Sequence, residues 1–231
     1  MDVKQRDSDS LWRHYQDEAS DTFESSYSRQ KFIAKRCSPG TKVLNIGVGS
    51  GYLESLLKAR DVDVYCLDPS ASSVRRMNEQ VVMEGHARQG YSHENPFPDL
   101  FFDVVIMTEV IEHIQKDHLD ATILEVRRVL KSGGRFVGTV PYKENLRSNE
   151  VFCPNCSMEF HRWGHLHSFD LDSVRTLLER NGMTVKKAYT SAFPDFSRPK
   201  FKLLLRAIFR YVLGRIGEPL VSPCIYFSAN K

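Results

Sequence analysis

Between Lys42 and Val140, short apolar runs alternate with longer amphipathic stretches. Lys42-Val43-Leu44-Asn45-Ile46, Val62 to Leu67, Phe102 to Met107 and Arg135 to Val140 are rich in β-branched and aromatic residues and bounded by Gly, Pro or Asp, so each predicts a strand. Tyr52 to Lys58, Ser72 to Met83 and Leu119 to Leu130 predict the helices between them. Alternation of this kind implies a parallel sheet with helices on both faces, because the crossovers are right-handed, and it places ligands at the carboxyl ends of the strands. The rhythm then breaks. Residues 143–168 read as an irregular insertion, Leu171 to Arg180 as a helix, and Met183 to Ala192 and Cys224 to Ala229 as two further strands. Residues 1–34, polar but carrying Trp12, Tyr15, Phe23 and Tyr27, suit a helical cap. With no internal repeat, the insertion and the segment 196–217 read as additions to a single domain over 1–231.

Composition narrows this little. A chain of 231 residues, 41% hydrophobic and 26% charged, can bury a full core, which excludes a disordered or collagenous protein. The net charge of +3 is too small for a globally basic nucleic-acid binder, so charge has to be read locally. No run approaches the ~18 apolar residues of a membrane span, and the polar start carries no signal-peptide core, which makes the cytoplasm the expected compartment. Five cysteines, an odd number with Cys153 and Cys156 three apart, suggest metal or redox chemistry ahead of a disulfide framework.

The first predicted strand runs into Gly47-x-Gly49-x-Gly51 and then a helix, which lets backbone approach a ligand where side chains are missing. The spacing is neither the dinucleotide fingerprint nor a phosphate loop. Asp68, ending the second strand, can accept two hydrogen bonds from a ribose diol; it can equally be a turn aspartate before Pro69. Glu109, Glu112 and His113 follow the third strand at helical spacings of three and four, which would put all three on one face beside the ligand.

Val43 to Gly51, Asp68, and Phe102-Asp103-Val104-Val105 leading to Glu109-Val110-Ile111-Glu112-His113-Ile114 together resemble class I S-adenosylmethionine-dependent methyltransferases, particularly the ubiquinone-biosynthesis type acting on small molecules. The resemblance covers roughly residues 25–231. It implies an α/β, Rossmann-like fold with a seven-stranded, mostly parallel sheet and a reversed last strand. It also implies a cofactor held by Asn45, Gly47, Gly49, Gly51, Asp68, Thr108 and Glu109. Two positions depart from the pattern: Asn45 stands where the family usually has an acid, and Tyr91-Ser92-His93 replaces the acid often found near the adenine. They keep open a catalytically inactive binding module on the same fold.

Methyl transfer from a sulfonium requires an aligned nucleophile and, for a hydroxyl, a base. His113, with an ordinary pKa of ~6.5, is the candidate base, with Glu109 and His167 beside it; the alternative is that His113 only orients the loop. The Glu-His run with His167-Ser168-Phe169 also resembles small-RNA methyltransferases that modify a terminal ribose 2′-hydroxyl. That likeness implies a divalent metal on Glu109, Glu112, His113 and His167. No extended basic groove accompanies it, so nucleic acid is not the expected partner.

Two further features remain. Cys153-x2-Cys156-x4-His161-x3-His165 has ligands enough to close a structural tetrahedral zinc site that would wall the substrate pocket; a redox pair or an unmetallated loop are the alternatives. Residues 196–217 carry Arg198, Lys200, Lys202, Arg206, Arg210 and Arg215 and no acid. At helical spacing Phe201, Leu204, Leu205, Ile208, Phe209 and Val212 share an arc beside Lys202, Arg206 and Arg210, so this segment predicts either an interfacial helix at an anionic membrane or a helix packed on the sheet. The expected activity is methyl transfer to oxygen of a small or lipid-linked acceptor.

Overall fold

A computed structural model describes residues 10–12, 14, 15, 26–194 and 201–231. Most of the expected cap at 1–34, and Arg198 and Lys200 of the basic segment, lie outside the described residues. Helix α1 (Tyr27–Ala34) precedes strand β1 (Lys42–Ile46), then α2 (Tyr52–Lys58), β2 (Asp63–Asp68), α3 (Ala71–Gln80), β3 (Ala87–Gln89), β4 (Phe102–Thr108), α4 (Leu119–Val129) and β5 (Leu130–Pro141). A small hairpin of β6 (Glu150–Phe152) and β7 (Glu159–His161) occupies the insertion. Helix α5 (Leu171–Arg180), β8 (Thr184–Ser191), α6 (Phe201–Arg215) and β9 (Cys224–Asn230) complete the chain.

Seven strands form one sheet in the order β3-β2-β1-β4-β5-β9-β8. Strands β1 to β5 pair in parallel, and β9, the last in the chain, runs antiparallel to both β5 and β8. Both faces are covered, so the central strands read as nearly continuous apolar runs. Alternation still sorts them. Leu44, Ile46, Val105 and Met107 enter one core layer with Phe136, Ile123 and Phe227, while Val43, Val104 and Ile106 enter the other with Ile33, Leu57 and Met77. Strand β3 escaped the sequence reading because only Ala87 of its three residues is buried. The order of strands reverses between β1 and β4, and a ligand crevice opens at such a switch point, outside the carboxyl ends.

Candidate active site

A cavity of about 330 Å³ lies at that crevice, lined by Asn45, Gly47, Gly49, Asp68, Thr108, Glu109 and His113. Tyr91, Ser92 and His93 line it too. The glycine loop is shaped for close approach: Gly47 has φ +85°, and a Cβ there would sit 2.7 Å from Val110 Cγ2. Gly51, also expected to hold cofactor, does not line the cavity; it begins α2 in the left-handed region and packs against Met77.

Asp68 joins loop and strand. Its Oδ2 accepts from the Val48 amide at 2.9 Å and its Oδ1 from the Ser70 amide at 2.8 Å. A carboxylate has about four lone-pair sites, so the turn role does not by itself exclude a ligand role. Asn45 donates to Glu54 Oε1 at 2.6 Å and to the Gly47 carbonyl at 3.2 Å. The missing acid of β1 is thus replaced by an amide that bridges to a buried carboxyl, whose pKa burial pushes up to about 7. The glycine cradle, the buried Asp68 and the adjacent rings fit S-adenosylmethionine, whose methyl sulfonium is the electrophile this site would receive.

The Glu109 region differs from the helical expectation. Only Ile111–His113 form a single 3-10 turn, and Glu109 precedes it at φ +54°, a strained conformation for a non-glycine residue. Glu109, Glu112 and His113 therefore do not share a helix face. Glu109 Oε2 lies 3.5 Å from Arg29 and 3.6 Å from Cys224 Sγ, while its buried Oε1 has no hydrogen-bond partner among the described residues. Burial, then repulsion from Glu109, holds Glu112 well above the carboxylate range.

His113 is not poised near neutrality. Burial, with His165 and His161 nearby, pulls its pKa down to about 3, which leaves a neutral ring whose conjugate acid is disfavoured. His167 is absent from the cavity lining; its Nε2 donates to the Ile114 carbonyl at 2.8 Å and so positions the wall. The metal set expected from the RNA-type resemblance is not assembled, since Glu109 turns to Arg29 and His167 to Ile114.

Nor do the four zinc candidates converge among the described residues. Cys153 and Cys156 sit at the tip of the β6–β7 hairpin, while His161 pairs with Glu150 at its base, three residues beyond Met158. A strand rises about 3.3 Å per residue, so the hairpin itself holds thiols and imidazoles apart. His161 and His165 gather instead around Glu144, and His165 also approaches Glu112 and His113. Sequence reasoning missed Arg29, Glu54, Glu144 and Cys224; none belongs to a spaced motif, and each is brought in by the tertiary fold.

The sheet order and the cavity at its switch point define a Rossmann-like fold with a ligand crevice between the glycine loop and Asp68. The methyltransferase domain family matches residues 11–188, and the chain belongs to it. A ubiquinone/menaquinone biosynthesis C-methyltransferase of Burkholderia cenocepacia is 35% identical over 103 residues, 42% of this chain and 42% of that protein. An uncharacterised protein of Methanocaldococcus jannaschii is 31% identical over 133 residues, 58% of this chain and 54% of its own length. The chain thus spans about half the length of these curated relatives. Among solved structures, the 1,6-didemethyltoxoflavin-N1-methyltransferase of Burkholderia thailandensis, with bound S-adenosylhomocysteine, shares the fold at TM-score 0.66 and 14% identity, covering 100% of this chain and 91% of that one.

Proposed function

We propose that this methyltransferase acts on a hydroxyl of a lipid-linked acceptor at an anionic membrane surface. The observation that carries this reading is α6. Among its described side-chain positions the buried ones are Ala207 and Gly214, one seam seven residues apart, and the apolar arc of Leu204, Leu205, Ile208, Phe209 and Val212 is exposed, Phe209 by 62%. That arc is therefore not spent on the sheet. Lys202 and Arg206 are exposed beside it, which matches anionic headgroups as the apolar arc matches acyl chains. The C-terminal end of α6 is tied to β8, at the edge of the sheet, where Thr190 donates to the Arg215 carbonyl at 3.1 Å. No described helix is long and apolar enough to cross a membrane, so contact would be peripheral.

At the reacting end, Glu109 supports an oxygen acceptor better than His113 does. It lines the cavity, its buried Oε1 has no hydrogen-bond partner among the described residues, and its carboxylate would take the proton of a bound hydroxyl as the hydroxyl oxygen attacks the methyl carbon and the sulfur–methyl bond breaks. The test is flotation with vesicles containing phosphatidylglycerol or phosphatidylcholine alone, followed by methylation assays on a polyprenyl phenol in each. Salt-sensitive binding to the anionic vesicles, abolished in Leu205→Glu/Phe209→Glu, and turnover only of the membrane-borne phenol are expected. Equal failure to bind both vesicles, with turnover of soluble phenols, would overturn the lipid-linked reading.

A further inference from the structure

A second cluster lies behind the cavity, where the insertion meets the loop after β4. Ligand atoms of Glu112, His113 and His165 all lie within 4.8 Å of one another, on segments 52 residues apart in the chain. Glu112 is fully buried, and neither carboxylate oxygen has a hydrogen-bond partner among the described residues. Leaving such a group unsatisfied costs several kcal/mol unless something pairs with it.

The hydrogen bonds around the cluster select which atoms it offers. His113 Nδ1 lies 3.1 Å from the Gly164 carbonyl, which can only accept, so Nδ1 carries the proton and Nε2 keeps a lone pair. That Nε2 is buried and unpartnered among the described residues. His165 Nδ1 is hydrogen-bonded to Glu144 Oε2, which leaves its Nε2 lone pair in turn. His161 completes the support. Its Nδ1 accepts from the Trp163 and His165 amides at 3.3 and 3.1 Å, so its Nε2 proton faces Glu144 Oε1 at 3.4 Å. A carbonyl behind one imidazole and a carboxylate behind the other is the arrangement that orients metal-ligating histidines and raises their basicity.

We infer that Glu112, His113 and His165 form a site for a divalent transition-metal ion such as zinc, with Glu144 and His161 orienting His165. Two imidazoles and one carboxylate suit borderline metals and leave a coordination position open. The ion would bind the insertion to the loop that walls the cofactor cavity, so its first consequence is positional. Gly164 shows how tightly the two segments meet: at φ +70°, a Cβ there would lie 3.2 Å from Leu11 and 3.9 Å from His113 Nδ1. The inference stands apart from the identity of the acceptor and excludes the hairpin cysteines from the ligand set.

The experiment is metal analysis of the full-length protein, then chelation, refilling with Co²⁺ and visible spectroscopy, with competition by Zn²⁺. One equivalent of metal is expected, with tetrahedral or five-coordinate cobalt bands and no thiolate charge-transfer band. Glu112→Gln and His165→Gln should weaken Zn²⁺ binding by at least about 100-fold, and Glu144→Gln by roughly 10- to 100-fold. His167→Ala and Cys153→Ser/Cys156→Ser should keep full stoichiometry. Absence of stoichiometric binding to folded wild-type protein, a thiolate band, or unchanged affinity in His165→Gln overturns the site. If the variants fail to fold, the wild-type stoichiometry and cobalt spectrum decide alone, since they do not depend on any substitution.

Discussion

The cofactor side and the insertion side of the cavity are built in opposite ways. On the cofactor side, adjacent strands deliver Asn45, Gly47 and Asp68 to one edge, where the Val48 and Ser70 amides meet Asp68 while Asn45 Oδ1, Ser50 Oγ and Glu54 Oε2 have no hydrogen-bond partner among the described residues. On the insertion side, Glu112, His113, Glu144, His161 and His165 converge from three loops and the end of β7, and buried oxygens and nitrogens are left without partners among the described residues. A sheet can hold a ligand site by geometry that its own hydrogen bonds fix. The insertion cluster rests on irregular segments, and its unpartnered atoms come together at Glu112, His113 and His161.

The largest effect is expected on the cofactor side, at Glu54, a buried carboxyl beneath the glycine loop whose Oε2 is unpartnered among the described residues, as Asn45 Oδ1 and Ser50 Oγ are. Burial raises its pKa from 4.5 to about 7, so its contribution to stability is present below about pH 4.5 and is lost as pH rises through about 7. The loss is on the order of 3 kcal/mol. Glu54→Gln, followed by urea unfolding from pH 4 to 8, should flatten that decline and be more stable than wild type at pH 8. Parallel curves for the two proteins would show that Glu54 does not titrate as its burial requires.

Next in size is Asp68→Ala, which removes the two amide contacts and the ribose acceptor together. S-adenosylmethionine affinity measured by calorimetry should fall by roughly 10- to 100-fold, on the ~1.5–3 kcal/mol scale of charged hydrogen bonds. Unchanged affinity in a folded variant would remove Asp68 from the cofactor site.

These two residues also show what a sequence can reveal. Asp68 was legible because strand periodicity placed it at a carboxyl end one strand over from the glycines, and the parallel pairing follows from the same alternation, whereas the seven strands and the reversed last one came from the family resemblance. Glu54 was not, since nothing in Tyr52-Leu53-Glu54 marks a helical glutamate as the partner of Asn45. The helix reading of 109–113 failed because side-chain spacing assumes regular backbone, and the left-handed Glu109 breaks it. His161 and His165 were found by spacing, and the described structure sets other groups beside them than the two cysteines. Regular hairpin geometry carries Cys153 and Cys156 away, and Glu144, which sits in no motif, takes their place. The exposure of the apolar arc on α6 was open in the sequence as well, because amphipathicity gives the direction of a face and not what covers it.

A smaller effect separates the stability of the insertion's exit from cofactor binding. Asp170 caps α5 through a reciprocal pair with Ser173, its Oδ1 accepting from the Ser173 amide at 2.8 Å while Ser173 Oγ accepts from the Asp170 amide at 2.8 Å. Asp170→Ala should cost about 1 kcal/mol in chemical denaturation. Affinity for S-adenosylmethionine should not change, because Asp170 does not line the cavity. A loss of cofactor affinity in step with stability would mean that the two sides of the molecule fold as one inseparable unit.

The smallest effect is expected where the sequence looked most specific. Cys156 is exposed and Cys153 partly so, and the turn they flank is closed by backbone hydrogen bonds from the Cys153 amide to Met158 and from the Ser157 amide to Cys153. A hairpin tip held this way has no need of thiols to keep its shape. Cys153→Ser/Cys156→Ser should therefore leave the melting temperature, cofactor affinity and turnover within error of wild type. A fall of many degrees would mean that the tip is drawn onto the histidines when metal is present, which requires bending β6 and β7 through the distance that now separates the two pairs. The double serine variant thus decides between a hairpin that carries spare thiols and one whose rest geometry differs from its metal-bound geometry.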